Sequence, residues 1–158
     1  MMNEQFCFFW KGPLSQWHQA PFTIDGREFV CAEQYMMFCK ALLFGDRDAA
    51  KRIGATTSPH EQKELGRQVR GFEEGIWRVF REGIVFSANL AKFTQCDELR
   101  GALLSTGSRT LVEASPHDRV WGVGLAETDP RILDPVNWRG ENLLGQILMR
   151  VRSCVRDL

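Results

Sequence analysis

The chain has 158 residues, 20 basic and 20 acidic side chains and a formal net charge of zero, so no overall field draws it to nucleic acid or to an anionic membrane, and any phosphate contact must be local. Hydrophobic residues make up 44 %, yet charges and glycines break every run before the ~18 apolar residues a membrane span needs. The length suits one domain, 1–158, with a core of its own and no membrane partner.

Five cysteines form no Cys-x-x-Cys pair, and the three histidines, His18, His60 and His117, lie far apart, so metal-ligand spacing is absent and no cofactor is expected. Thiols packed as small hydrophobes, rather than a disulfide framework, fit a cytoplasmic setting. The start, Met1-Met2-Asn3-Glu4-Gln5-Phe6, lacks the basic and apolar regions of a signal peptide.

Phe6–Trp10 reads as a first strand, ended by the breakers Lys11-Gly12-Pro13. A loop with Trp17 and His18 leads to Phe22–Ile24 and Arg27–Phe29, which flank Asp25-Gly26, a strong two-residue hairpin signal. The stretch 29–44 then reads as a helix that is apolar on nearly every side and therefore buried, with Glu33 near its first turn. Gly45 ends it, and Asp46 caps a short helix from Arg47 to about Ile53. Ser58-Pro59-His60-Glu61 opens a polar helix to about Val69, leaving His60 on the surface.

From Phe72 to Lys92 the residues Ile76, Trp77, Phe80, Ile84, Phe86 and Ala88 approximate helical spacing, with Arg81 on the charged side. Asp97 or Thr94 caps a helix from Glu98 to Ser105, Thr110–Ala114 is a short strand, and Asn142 caps a last amphipathic helix to about Arg156. The sum is a mainly α, multihelical domain with about six helices and a few short strands.

Standard nucleotide and nucleophile signatures are missing; Gly122-x-Gly124 alone is weak. What remains is carboxylates, lysines and loop tryptophans. Glu33 and Lys40 share a face of the central helix ~10 Å apart, too far for a direct ion pair. Burial should raise the carboxyl pKa and lower that of the amine, and each either pairs with a residue elsewhere in the core or belongs to a catalytic site. Asp118 lies among His117, Arg119 and Trp121 and is either a turn-capping residue after Pro116 or the second carboxylate of a glycoside-cleaving pair. Trp17 and Trp121 suit stacking on a base, Trp77 reads as core and Trp138 fits either role. Lys40, Lys92, Arg27, Arg139 and the amides opening the last helix are candidate phosphate or hydroxyl ligands.

Several separated motifs recur here in the order found in one family. They are Pro13-Leu14-Ser15-Gln16-Trp17, Ala32-Glu33-Gln34-Tyr35-Met36 with Lys40, Lys63-Glu64-Leu65-Gly66-Arg67, Lys92-Phe93, Asp118-x-x-Trp121-Gly122-x-Gly124 and Gly140-x-Asn142-x-Leu144-Gly145. On them the chain resembles the NADAR family, also called YbiA-like, over nearly its whole length. The resemblance implies a mainly helical fold and an N-glycosidase. Its substrate would be a ribosylated base or nucleotide, either an early riboflavin-pathway ribosylaminopyrimidine phosphate, releasing ribose 5-phosphate, or ADP-ribosylated guanine, which would make ADP-ribosylated nucleic acid a partner.

A module that binds ADP-ribose without turnover is the rival. The residues that match the family's active-site pattern are Glu33, Asp118 and Trp121, and Lys40 fits the lysine of the same helix; with them the catalytic candidates are Glu33, Asp118 and Lys40, and the candidate substrate-binding residues are Trp121, Trp17, Gln16, Ser15, Arg27, Lys92, Gly122 and Asn142. Many riboflavin-linked members carry a Phe-Leu-Ser-Asn-Phe-like segment where this chain has Leu14-Ser15-Gln16-Trp17, so the substrate subtype is open at Gln16 and Trp17.

Overall fold

The computed structural model describes residues 3–158; Met1 and Met2, part of the signal-peptide reading, lie outside the described residues. The elements run β1 (Phe6–Phe9), β2 (Phe22–Ile24), β3 (Arg27–Phe29), α1 (Ala32–Leu43), α2 (Arg47–Ala55), α3 (Pro59–Arg67), α4 (Glu74–Thr94), α5 (Asp97–Leu104), β4 (Thr110–Glu113) and α6 (Leu143–Arg156), with two 3-10 turns at Pro130–Leu133 and Pro135–Asn137. The fold is mainly α, as expected. The chain forms two units, Gln16–Gln95 and a discontinuous one made of the segment up to Ser15 with Cys96–Leu158.

In Gln16–Gln95 the β2–β3 hairpin forms as the sequence predicts, because Asp25 (φ 51°) and Gly26 (φ 78°) both take the left-handed conformation that a tight hairpin turn requires. A Cβ at Gly26 would meet nothing within 4 Å, so only the backbone angle opposes a side chain. Gly26→Ala is therefore expected to cost about 1–2 kcal/mol, read as a lowered urea midpoint. The hairpin closes an aromatic cluster in which Phe22 and Phe29 stack at 5.9 Å and Tyr35 meets Phe29 edge-on at 5.0 Å, with Ala32 and Ala88 beneath.

Helix α1 starts at Ala32, later than the apolar run suggests, because Phe29 completes β3 and Cys31 stays extended. Gln34 ties this start down: its Oε1 accepts from the Val30 N–H at 2.8 Å, and its Nε2 donates to the carbonyls of Ile53 and Thr56, both at 3.1 Å. Asp46 caps α2 by accepting from the Ala49 N–H, and Ser58 caps α3 with Pro59 as the first helical residue, as their motifs indicate. Helix α2 passes through the exposed Gly54 to Ala55, beyond its expected end.

Helix α4 departs from its predicted face. Trp77, Arg81, Val85, Ala88, Asn89, Lys92 and Phe93 are buried, whereas Ile76 and Phe80 are exposed. Steps of three and four from Trp77 reach 81, 85, 88 and 92, and packing against α1 and β2 selects this line over the adjacent apolar one. Arg81 is accommodated because its guanidinium reaches Glu74 at 3.9 Å.

In the other unit β1 and β4 pair in parallel, Phe6 opposite Thr110 and Phe9 opposite Glu113, and the connection between them includes all of Gln16–Gln95. Phe6 and Phe8 pack with Val112, Ala114, Val123, Leu125 and Ile132. Trp138 joins this core from the edge and donates its ring N–H to the Ile132 carbonyl at 2.9 Å. The expected stripe of α6 is buried, and α6 packs on β4 and α5. Neither expected cap serves α5: Cys96 holds that position without a side-chain bond, and the Thr94 hydroxyl donates back to the Leu90 carbonyl of its own helix. Among the described residues no helix is long and apolar enough to cross a membrane, and no group of three acidic, His or Cys side chains could hold a metal.

Candidate active site

Within Gln16–Gln95 the start of α1 brings Glu33 and Gln16 together. Glu33 is 5 % exposed, and its backbone N–H donates to the Gln16 carbonyl at 3.0 Å, which brings the loop before the hairpin onto the first turn of the helix. Two turns on, Lys40 is half-buried. Its ammonium lies 4.6 Å from the ring centre of Phe72 and 5.7 Å from that of Trp77, a cation–π seat that leaves the amine poorly hydrated. Burial holds its pKa below the usual lysine value, while the charges of Glu33 and Glu74 act in the opposite direction. Burial thus acts on Lys40 in the direction expected, and Trp77, read only as core, also seats the amine.

Lys92 is 1 % exposed, and burial pushes its pKa down to about 7. Burial raises the Cys31 thiol to about 11; the charge of Glu33 adds to that rise and that of Lys92 opposes it. Cys31 also donates to Gln62 at 3.2 Å, and Gln62 in turn holds the Thr56 carbonyl.

Trp17 is 41 % exposed, with the His60 ring edge-on at 6.4 Å and the Lys63 ammonium 5.8 Å from its centre. Arg27 lies elsewhere, on the exposed hairpin, with its guanidinium over the Phe38 ring at 4.8 Å. Asn89 was missed by sequence reasoning. It is fully buried on α4 and hydrogen-bonded to Gln16; the only signal available was a polar residue four positions after Val85 on a core-facing line.

In the other unit the Asp118 loop is built around its own backbone. Asp118 Oδ1 accepts from the N–H groups of Val120 at 2.9 Å and Trp121 at 2.8 Å, and its N–H donates to Ser115 Oγ. The turn role considered for Asp118 is thus real and occupies one of its two oxygens. Trp121 is half-buried, and its carbonyl accepts from Leu144 N–H. Ser15 closes a tight turn by donating its N–H to the Gly12 carbonyl.

Three expectations change here. Gly122 was a candidate substrate-binding residue, but a Cβ there would come within 2.9 Å of the Glu113 carbonyl and 3.0 Å of Ser115, so the space it frees is filled by its own unit. The amides opening α6 were candidate anion ligands, but those of Asn142, Leu143 and Leu144 donate to the carbonyls of Gly122, Val120 and Trp121. Asn142 occupies the cap position without capping; its Oδ1 accepts from the Glu113 N–H at 3.0 Å and its Nδ2 donates to the Leu111 carbonyl at 2.9 Å.

That side chain is a clamp on β4. Asn142→Ala should lower the unfolding free energy in urea by about 2–4 kcal/mol, since it strands two backbone groups; a residue used only for ligand contact would shift it by less than about 0.5 kcal/mol. A cleft of about 760 Å³ in this unit is lined by Trp10, Ala114, Pro116, Glu127, Asp129 and Leu133 among others, but not by Asp118 or Trp121.

The order and placement of these elements match known proteins. A family model described as the NADAR domain fits residues 8–156. The chain belongs to the NADAR family. It is similar to the N-glycosidase of Acanthamoeba polyphaga mimivirus, at 44 % identity over 89 % of this chain and 85 % of that protein. It also resembles N-glycosidase YbiA of Escherichia coli, at 30 % identity over 90 % of this chain and 80 % of the other. The NMR structure of the E. coli protein YbiA superimposes with a TM-score of 0.80 at 27 % identity, covering 99 % of this chain and 88 % of that one. A more limited match, 35 % identity over 68 % of this chain but only 16 % of the relative, is to the maize chloroplastic riboflavin biosynthesis protein PYRR. This NADAR protein is a hydrolase of the N-glycosidase class.

Proposed function

We propose that this NADAR protein hydrolyses the N-glycosidic bond of a ribosylaminopyrimidine phosphate, an early riboflavin-biosynthesis intermediate, and releases ribose 5-phosphate. The observation that carries the reading is Glu33, a carboxylate nearly sealed from water at the first turn of α1, acting electrostatically on the desolvated amine of Lys40. Similarity to the maize riboflavin biosynthesis protein supports this substrate class.

In the proposed reaction the bond between the anomeric carbon and the base nitrogen breaks, its electron pair stays on the nitrogen, and positive charge spreads over the carbon and the ring oxygen. Water adds to the anomeric carbon and gives one proton to the Glu33 carboxylate, and that proton passes on to the base nitrogen, so the carboxylate is regenerated. Little water competes for Glu33, so its charge acts on the developing cation at low dielectric. Lys40 holds the sugar or its phosphate.

The lowered Lys40 pKa favours a second route, in which the neutral amine attacks the anomeric carbon of the ring-opened, protonated sugar–base imine, the base leaves as its amine with a proton taken from the Lys40 nitrogen, and water then hydrolyses the Lys40 iminium that remains. Borohydride during turnover would reduce that species to a stable adduct on Lys40; a protein mass unchanged by the treatment removes the route.

The deciding assay gives the protein a ribosylaminopyrimidine phosphate and, separately, ADP-ribosylated guanosine. Ribose 5-phosphate is expected from the first. Release from the second alone would move the activity to ADP-ribosylated guanine, and tight binding without release from either would overturn the enzymatic reading.

A further inference from the structure

Gln16 and Asn89 form a pair of buried amides whose polarity is set by the backbone. Asn89 is fully buried and Gln16 is 8 % exposed. The Asn89 Nδ2 donates to the Val85 carbonyl at 2.8 Å and to Gln16 Oε1 at 2.9 Å. A backbone carbonyl can only accept, so Val85 decides which end of Asn89 is the amine, and that amine in turn keeps the Gln16 carbonyl facing it. Two atoms are left over, Gln16 Nε2 and Asn89 Oδ1, both buried and without a hydrogen-bond partner.

Buried amide groups are nearly always matched, so an unmatched donor held in place calls for a further partner. The surroundings identify its setting. The backbone carbonyl of Gln16 accepts the Glu33 N–H, and the next residue is the exposed Trp17. Gln16 thus joins the first turn of α1, which carries Glu33, to the residue that presents an open aromatic ring.

We infer that Asn89 is a positioning residue that holds Gln16 so that its Nε2 donates to a hydroxyl of the substrate's ribosyl group. This rests on the N-glycosidase reading of the site. A hydroxyl oxygen suits the donor and can pass its own proton on to an acceptor such as Asn89 Oδ1. The carbonyl of a base would also accept from Nε2, so the test separates sugar from base.

The test is a titration of ¹⁵N-labelled protein with D-ribose 5-phosphate and, in a second series, with the free aminopyrimidine, following the Gln16 side-chain amide signals, assigned by their loss in Gln16→Glu. The sugar phosphate is expected to move those signals saturably and the base to leave them in place. Gln16→Glu still accepts from Asn89 but offers no donor, and should raise KM about tenfold with kcat changed less than twofold. Asn89→Leu should show the same split and should also abolish the sugar-induced shift although Gln16 is present, which a purely structural role would not do.

If Asn89→Leu does not fold, Gln16→Glu and the titration decide. A Gln16 amide that ignores the sugar, or moves only with the base, overturns the inference, as does a wild-type KM in Gln16→Glu. The titration needs no turnover, so these outcomes are distinct from failure of the proposed reaction.

Discussion

Glu33→Gln should lower kcat by about 10²–10⁴-fold, the span typical of a lost general acid or base, with KM changed less than threefold and the thermal midpoint held or raised. The amide matches the carboxyl in size, and removing a buried charge relieves a desolvation cost. What disappears is the proton acceptor and the negative field that develops its effect only as the anomeric carbon becomes cationic. The substitution also withdraws one of the charges that keep the Lys40 pKa from falling further, so the Lys40 amine should titrate lower in the variant than in the wild type. Measured release of ribose 5-phosphate at wild-type rate would take Glu33 out of the mechanism.

Lys92→Met should stabilise the protein at pH 7 and not at pH 10. In the folded chain Lys92 titrates at about 7, against 10.5 for the ordinary group. Between these values the unfolded chain holds a proton that the folded chain lacks, so stability rises with pH across this window. The penalty is complete below about pH 7 and vanishes above about 10.5. At ~1.4 kcal/mol per pH unit, a shift of this size predicts a gain of about 2 kcal/mol or more at neutral pH for a side chain of similar volume and no charge. Urea unfolding at both pH values measures it, and an equal loss of stability at both would show that the amine contributes more through its contacts than its burial costs. Retaining a costly buried amine is what a ligand-binding role for Lys92 would require, and a raised KM in the same variant is the matching expectation.

The parts of the fold legible in the sequence are those whose causes lie within a few residues. The Asp25-Gly26 turn, the Ser58-Pro59 and Asp46 helix starts and the apolar period of α6 each carry their own geometry, and each forms as read. The face of α4 was misjudged because two apolar lines, one through Trp77 and one through Ile76 and Phe80, run side by side on the helix, and only packing against α1 and β2 chooses between them. Neither expected cap serves α5 because α4 runs through Thr94, whose hydroxyl donates back to its own helix, and α5 begins at Asp97, which leaves Cys96 at the cap.

For the candidate site, residue types were legible and local partners were not. Glu33 and Lys40 stand out by themselves, as charges within the apolar run 29–44, and the family motifs single out the same residues. By itself the sequence determined the mainly helical class, the local turns and caps, and a short set of charged and aromatic residues with chemistry to offer, because each depends on neighbours along the chain. Tertiary structure alone decided that Asn142 clamps β4, that Gly122 leaves room for its own backbone, that Phe72 and Trp77 seat the Lys40 amine, and that Asn89 orients Gln16 from 73 positions away. Those contacts form between segments remote in sequence, where periodicity and capping carry no information, and their hydrogen-bond geometry determines which polar atoms remain available to a substrate.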